Sequence, residues 1–599
     1  MRRVLVTILV VVSLQTVAAN AASPQYLDQS WSDTDRQWFY TTPQGSKLIR
    51  YDWALALERA SDETLFFADG LARLGYLPNA KDEKTNPDGL PVGFVRDRGL
   101  TVDHLGMTCA ACHTNDLAFK GTTYRIDGGP ADADLFSFLA ELSESLTATS
   151  ASQASPKFQR FAKRLGKNNL VSRTALYVEL RKFSRDFADF VAATTSTTSW
   201  GRARADAFGA IFNRVTAIDL PPAPPSLAKN IPANNRMPNA PVSYPFLWDT
   251  SWHNKVQWDG SAPNQLAILR LARNVGEVLG VFADIKIRKP GFLHWYYEST
   301  AKRINLLEIE DRLAQLRSPH WPAAFPAIDT TKAAAGQAIY RAQCESCHKQ
   351  ATPGVLQDVV MTPLTDAGTD PAMATAASTR QAKTGILEGV PELILLGSKF
   401  GPTASAGKIT FNAVLGAILS PIPDDWFLGA PSKAATKTAL EVTSTRKGEG
   451  SENDLRNDLL SKLHQTLSKT HASSDADTND PVKADLLQAQ QSMAAAAPST
   501  GLAYKARPLD GIWATAPYLH NGSVPNLRAL LMKPALRPKT FFVGSRDFDP
   551  VNVGFDTAAG PDRFLFDTSI AGNSNAGHDW GTSLTNEDLE ALLEYLRSL

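Results

Sequence analysis

The sequence predicts a mainly α protein of two domains, with long loops and insertions and little β structure. Three observations carry this. Apolar residues recur at helical spacing in several segments, while no stretch alternates strongly enough to build a large sheet. At 599 residues the chain is too long for one hydrophobic core. One five-residue pattern occurs twice, as Cys109-Ala110-Ala111-Cys112-His113 and as Cys344-Glu345-Ser346-Cys347-His348, and uses all four cysteines.

The spacing of that pattern has a chemical meaning. On a helical turn, positions i, i+3 and i+4 share one face. Two thiols so placed can form thioethers with the two vinyl groups of a haem, and the adjoining His can bind its iron. Cys-x-x-Cys-His is therefore the attachment signal of c-type haem. A redox disulfide and a four-thiolate zinc site are the competing readings. Against both, each pair is followed directly by His, and the pairs lie more than two hundred residues apart in different contexts. The expectation is two cytochrome c-type haem domains and two covalently bound haem c groups.

Taken in order, the chain opens with a targeting segment. Arg2-Arg3, an apolar run over 4–17 and the small residues Ala19-Asn20-Ala21 predict a signal peptide over 1–21. The run is short for a membrane span, so no permanent anchor is expected. Export agrees with haem attachment, which takes place outside the bacterial inner membrane, and predicts a periplasmic or secreted protein. The N-terminal domain is placed at 22–330. Helices are expected at 51–58, 131–146, 158–190 and 300–318, and turns at 86–89, 96–99 and 126–130. A proline-rich loop occupies 220–245, and Pro319, Pro322 and Pro326 mark the boundary.

The C-terminal domain is placed at 331–599. A helix through 336–340 leads into the second motif. A polar insertion at about 447–500 reads as a mobile segment or a surface helix pair. Asn521-Gly522-Ser523 matches a glycosylation sequon and reads as a turn. A final helix is capped by Thr585 with Asp588, and Leu589, Leu592, Leu593 and Leu596 form its apolar face. Charge is balanced, with 61 basic and 61 acidic residues, so nothing points to nucleic acid.

Thr515-Ala516-Pro517-Tyr518-Leu519-His520-Asn521-Gly522-Ser523, together with the two haem motifs, resembles the bacterial di-haem cytochrome c peroxidase superfamily. The extended stretch from Gly511 and the stretch from Val543 to Pro550 look more like its rubber-oxygenase-like branch. Gln257-Trp258-Asp259-Gly260 and Asn274-Val275-Gly276-Glu277 resemble the family's Trp-Asp-Gly-Arg and Asn-Pro-Val-Glu-Met, with Ser261 in place of the Arg.

The resemblance implies that Trp258 relays electrons between the haems and that Glu277 is the acid/base over the open face of the His113 haem. On the residues alone, Glu277 could equally be a surface Glu or an ion pair with Arg273. The resemblance further implies a six-coordinate second haem. His578 is the expected distal ligand, and His520 a contact behind the ligands or an alternative ligand. Met532 suits the family pattern poorly. His253 could cap the first haem at rest, although a bystander role is the simpler reading.

The implied activity is reduction of hydrogen peroxide, with electrons from a donor protein such as a small cytochrome or cupredoxin. The alternatives are a dioxygen-using enzyme cleaving a polyisoprene-like substrate, and a di-haem electron carrier without catalysis.

Overall fold

Helices make up 37% of the chain and strands 17%. Helix outweighs strand, as expected. The strand share is larger than little β implies, and the reason is length. Many strands are two-residue pieces in isolated pairs, and the largest sheets have three strands. Alternation cannot be read over two residues. The computed structural model describes residues 23–420 and 501–599, except 100, 197, 224–229, 291–295 and 395. The leader at 1–21, the insertion at 447–500 and two prolines of the proline-rich loop lie outside the described residues. Among the described residues no helix is long and apolar enough to cross a membrane.

The first haem motif sits between two small sheets. Strand His104–Met107 leads into it and runs antiparallel between Ile49–Arg50 and Phe94–Asp97. Strand Thr114–Phe119 leads out and forms a hairpin with Thr122–Asp127. The turns expected at 96–99 and 126–130 therefore begin later, because Arg96 and Asp97 pair with Leu105 and His104, and Ile126 pairs with Asn115.

The helical segments stand close to expectation. Helix Tyr51–Ala56 forms, and helix Leu135–Ser150 is capped by Asp134 accepting from the Ser137 N–H. The long segment at 158–190 divides into Pro156–Arg164 and Leu170–Thr194. Gly166, at φ +69°, takes the left-handed turn between them. Arg303–Leu313 supplies the helix expected near 300–318.

Helix Thr330–Gln343 carries the second motif at its C-terminal end, and helix Asn586–Ser598 packs along it. Thr585 caps the terminal helix by accepting from the Asp588 N–H. Gly336 permits the close crossing, since a Cβ there would collide with the Ala591 carbonyl. One hydrophobic cluster spans both sides of the proline-rich boundary, joining Trp248 and Leu271 to Tyr340, Trp513 and Leu596. A second cluster, around Trp53, Phe66, Phe94 and Phe138, is built from the N-terminal half.

Candidate haem site

At the second motif the His348 N–H donates to the Cys344 carbonyl at 2.8 Å. This closes one helical turn and puts Cys344, Cys347 and His348 on one wall of a cavity. His348 Nδ1 lies 2.7 Å from the Arg507 carbonyl. A carbonyl only accepts, so the ring proton is on Nδ1 and Nε2 keeps its lone pair for a metal.

His578 faces this ring, with the two ring centres 6.1 Å apart. Two metal–nitrogen bonds of about 2.0 Å plus two ring radii of about 1.1 Å total roughly 6.2 Å. The pair is thus spaced to hold one iron. His578 Nδ1 is buried with no protein partner. The cavity between the rings, including its mouth, encloses about 1260 Å³; its walls include the apolar Leu509, Ile512, Tyr518, Leu530 and Trp580, and also Lys505 and Arg507. It fits a haem in its size, its apolar walls and its paired imidazoles.

The His578 loop is held by backbone contacts. The His578 N–H donates to the Ala367 carbonyl at 2.7 Å, with φ at +53° in the left-handed region. Gly577 lies so close to residues 367–369 that no side chain fits. The Arg537 guanidinium donates to five carbonyls, those of Leu530, Met532, Asn575, Gly577 and His578.

The first site is built on a 3-10 turn, Cys109–Ala111, in which the His113 N–H donates to the Cys109 carbonyl at 3.0 Å. His113 Nδ1 donates to the Pro245 carbonyl at 2.8 Å, again freeing Nε2. Burial pulls the His113 ring down to about 4, so it stays neutral and metal-ready. No two of the four cysteines are joined in a disulfide, so each sulfur is available for a thioether.

Glu277 comes from helix Ala267–Gly280. Its charge is felt at Cys109, whose thiol is pushed up by burial and then by Glu277. The alternative ion pair with Arg273 does not form; Arg273 is taken by Glu310. Glu277 instead accepts from Gln257 Nε2 at 3.0 Å. Burial raises the Glu277 carboxyl above its usual range, against the pull of the Arg273 charge.

Trp258 lines the second cavity, and its Nε1–H donates to the Ser243 carbonyl at 3.0 Å, two residues from Pro245. His520 also lines that cavity, stacked on Tyr504 at 4.0 Å, and burial pulls its pKa down to about 3. Met532 is 37% exposed and is not among the cavity walls. His253 is fully buried with both ring nitrogens unpartnered, and it too is not a wall of the cavity. Asn521 of the sequon is buried and bonds the Gly572 and Ser574 carbonyls, as the turn reading expects.

Sequence reasoning did not single out Gln257's hold on Glu277, Arg537, or the carbonyls of Pro245 and Arg507. Gln257 stood inside the motif beside Trp258 and could have been found there.

Residues 503–542 match the family model described as RoxA-like, cytochrome c-like, and residues 331–394 match that of cytochrome c oxidase, cbb3-type, subunit III. The second haem motif lies inside the latter match, and the Thr515 to Ser523 stretch inside the former. An uncharacterized protein of Sinorhizobium fredii, y4iJ, is 30% identical over 96% of this chain and 93% of its own length. A second uncharacterized protein of that organism, y4iM, is 35% identical over 16% of this chain and 27% of its own. With cytochrome c domains that bind haem c covalently and serve electron transfer, the chain belongs to the same family as y4iJ and is a RoxA-like cytochrome c protein.

Proposed function

We propose that this chain is an exported di-haem redox enzyme that reduces hydrogen peroxide, with one haem on Cys109, Cys112 and His113 and the other on Cys344, Cys347 and His348. The observation that carries this reading is Glu277. It is a half-buried carboxyl whose charge is felt at Cys109 of the first motif, held by an amide and not paired with a cation among the described residues. The bound haem supplies an iron that exchanges electrons and can take peroxide at an open position. Glu277 takes a proton from one peroxide oxygen and returns it to the other. Gln257 fixes the carboxyl for that transfer. Two protons and two electrons then convert hydrogen peroxide to two waters.

In this reading His348 and His578 would together hold the second haem's iron. Trp258, on the wall of the second cavity and bonded to the Ser243 strand near His113's partner, relays electrons to the first haem. A small cytochrome or cupredoxin supplies them in the periplasm, and the chain divides functionally into 22–330 and 331–599.

A second reading is favoured by the family match. RoxA is a rubber oxygenase, so a dioxygen-dependent cleavage of a polyisoprene-like substrate is the alternative. That chemistry calls for an apolar distal pocket, and Glu277 weighs against it. The test is turnover of hydrogen peroxide with a small dye donor. Loss of about a hundredfold or more in Glu277→Gln supports the peroxidase. Aldehyde and ketone products from latex, with turnover indifferent to Glu277, support the oxygenase. Carbon monoxide binding at neither reduced haem would leave only an electron carrier.

A further inference from the structure

The proximal imidazoles of the two motifs are linked by an unbroken chain of hydrogen bonds and covalent bonds. His348 Nδ1 donates to the Arg507 carbonyl at 2.7 Å. The guanidinium of the same residue donates through Nη2 to the Phe246 carbonyl at 2.6 Å. Phe246 follows Pro245, whose carbonyl receives His113 Nδ1 at 2.8 Å. Arg507 is therefore the one side chain in this chain of contacts, and it reaches from the second site's backbone into the first site's.

Its surroundings fix it there. Arg507 is 6% exposed, and its guanidinium lies 3.5 Å over the Phe246 ring and 5.4 Å from the Trp258 ring. Nε has no partner, and the opposing charge felt at the guanidinium is that of the buried Asp249, which makes no hydrogen bond to it among the described residues. Lys505, two residues earlier, is equally buried and lies within the reach of the Arg507 charge. A buried charge with no directly bonded counter-ion acts over long range, because the interior screens it weakly.

We propose that Arg507 is a positioning residue for both haems, and that its guanidinium sets the reduction potential of the first haem although its backbone orients His348 of the second. The inference rests on the reading that His113 and His348 are each a proximal haem ligand. Its sign follows from charge. Reduction removes one positive charge from the iron centre, so a nearby fixed cation favours the reduced form. Removing that cation lowers the potential.

The experiment is a spectroelectrochemical titration of the mature haem-loaded protein, in wild type, Arg507→Met and Arg507→Lys. The first haem is followed as the one that binds carbon monoxide when reduced. In Met the equilibrium constant for its reduction falls by about tenfold, the scale of one weakly screened charge. In Lys, which keeps the charge, it stays close to wild type. An unchanged first-haem potential in Met overturns the proposal, and so does a fall in Lys as large as in Met. Should Met not mature with two haems, Arg507→Gln keeps a donor for the Phe246 carbonyl and loses the charge, with the same fall expected. A wild-type haem count other than two, or no carbon monoxide binding, would instead overturn the underlying reading, and this inference with it.

Discussion

Glu277, half-buried, and His520, buried, are titratable groups both held in their neutral direction, and they predict opposite pH behaviour. Burial raises the Glu277 carboxyl. A carboxyl raised in the fold opposes folding once pH exceeds its unfolded value, because the unfolded chain ionises more readily. Glu277→Gln is thus expected to keep or gain thermal stability at pH 7 while losing peroxide turnover, and a melting curve beside the activity assay checks both. His520 is pulled down to about 3 from 6.5. Between those values the unfolded state binds a proton that the folded state refuses, so stability falls as pH drops through that window. His520→Phe should flatten that slope by up to about 1.4 kcal/mol per pH unit, measured by urea unfolding from pH 6.5 down to 4.

Two elements hold the second site, and each predicts a distinct failure. The terminal helix crosses helix Thr330–Gln343 at Gly336, where backbone meets backbone. Gly336→Val should cost about 1–3 kcal/mol by overpacking and lower the thermal midpoint of the haem-loaded protein. The His578 loop depends on Arg537, which bonds five carbonyls. Arg537→Ala leaves those acceptors unsatisfied and frees a loop whose His sits at a positive φ. The expected outcome is a second haem that passes from six-coordinate low spin to a carbon monoxide-binding form. An unchanged spectrum would mean that packing alone holds His578.

At the scale of the whole molecule, the two motif-bearing halves are not separable cores. The cluster that joins Trp248, Leu271, Tyr340, Trp513 and Leu596 is shared across the boundary. Trp248 Nε1 donates to the Asp510 carbonyl, and Trp513 Nε1 donates to the Pro319 carbonyl. Residues 22–330 and 331–599 made separately should therefore expose this surface and aggregate. Co-expression of the two pieces should restore soluble protein if the shared core is what they lack.

The helices and both haem motifs were legible because their determinants are local. Thr585 and Asp588 stand one turn apart, and Cys344, Cys347 and His348 share one turn, so spacing alone places them. The two-residue strands were not legible, since Gln25–Tyr26 and Arg204–Ala205 exist only because a distant segment pairs with each. The place of Glu277 was reached through a family pattern, but its partner was not: the nearer cation, Arg273, is captured by Glu310 from another helix. The sequence by itself determined which side chains can bond haem, because thioether and imidazole chemistry needs only the right atoms on one turn. The tertiary structure decided which carbonyls take the His113 and His348 protons, which imidazole faces His348, and which guanidinium spans the two. Those choices rest on backbone acceptors that every residue carries, and only folding brings them into reach.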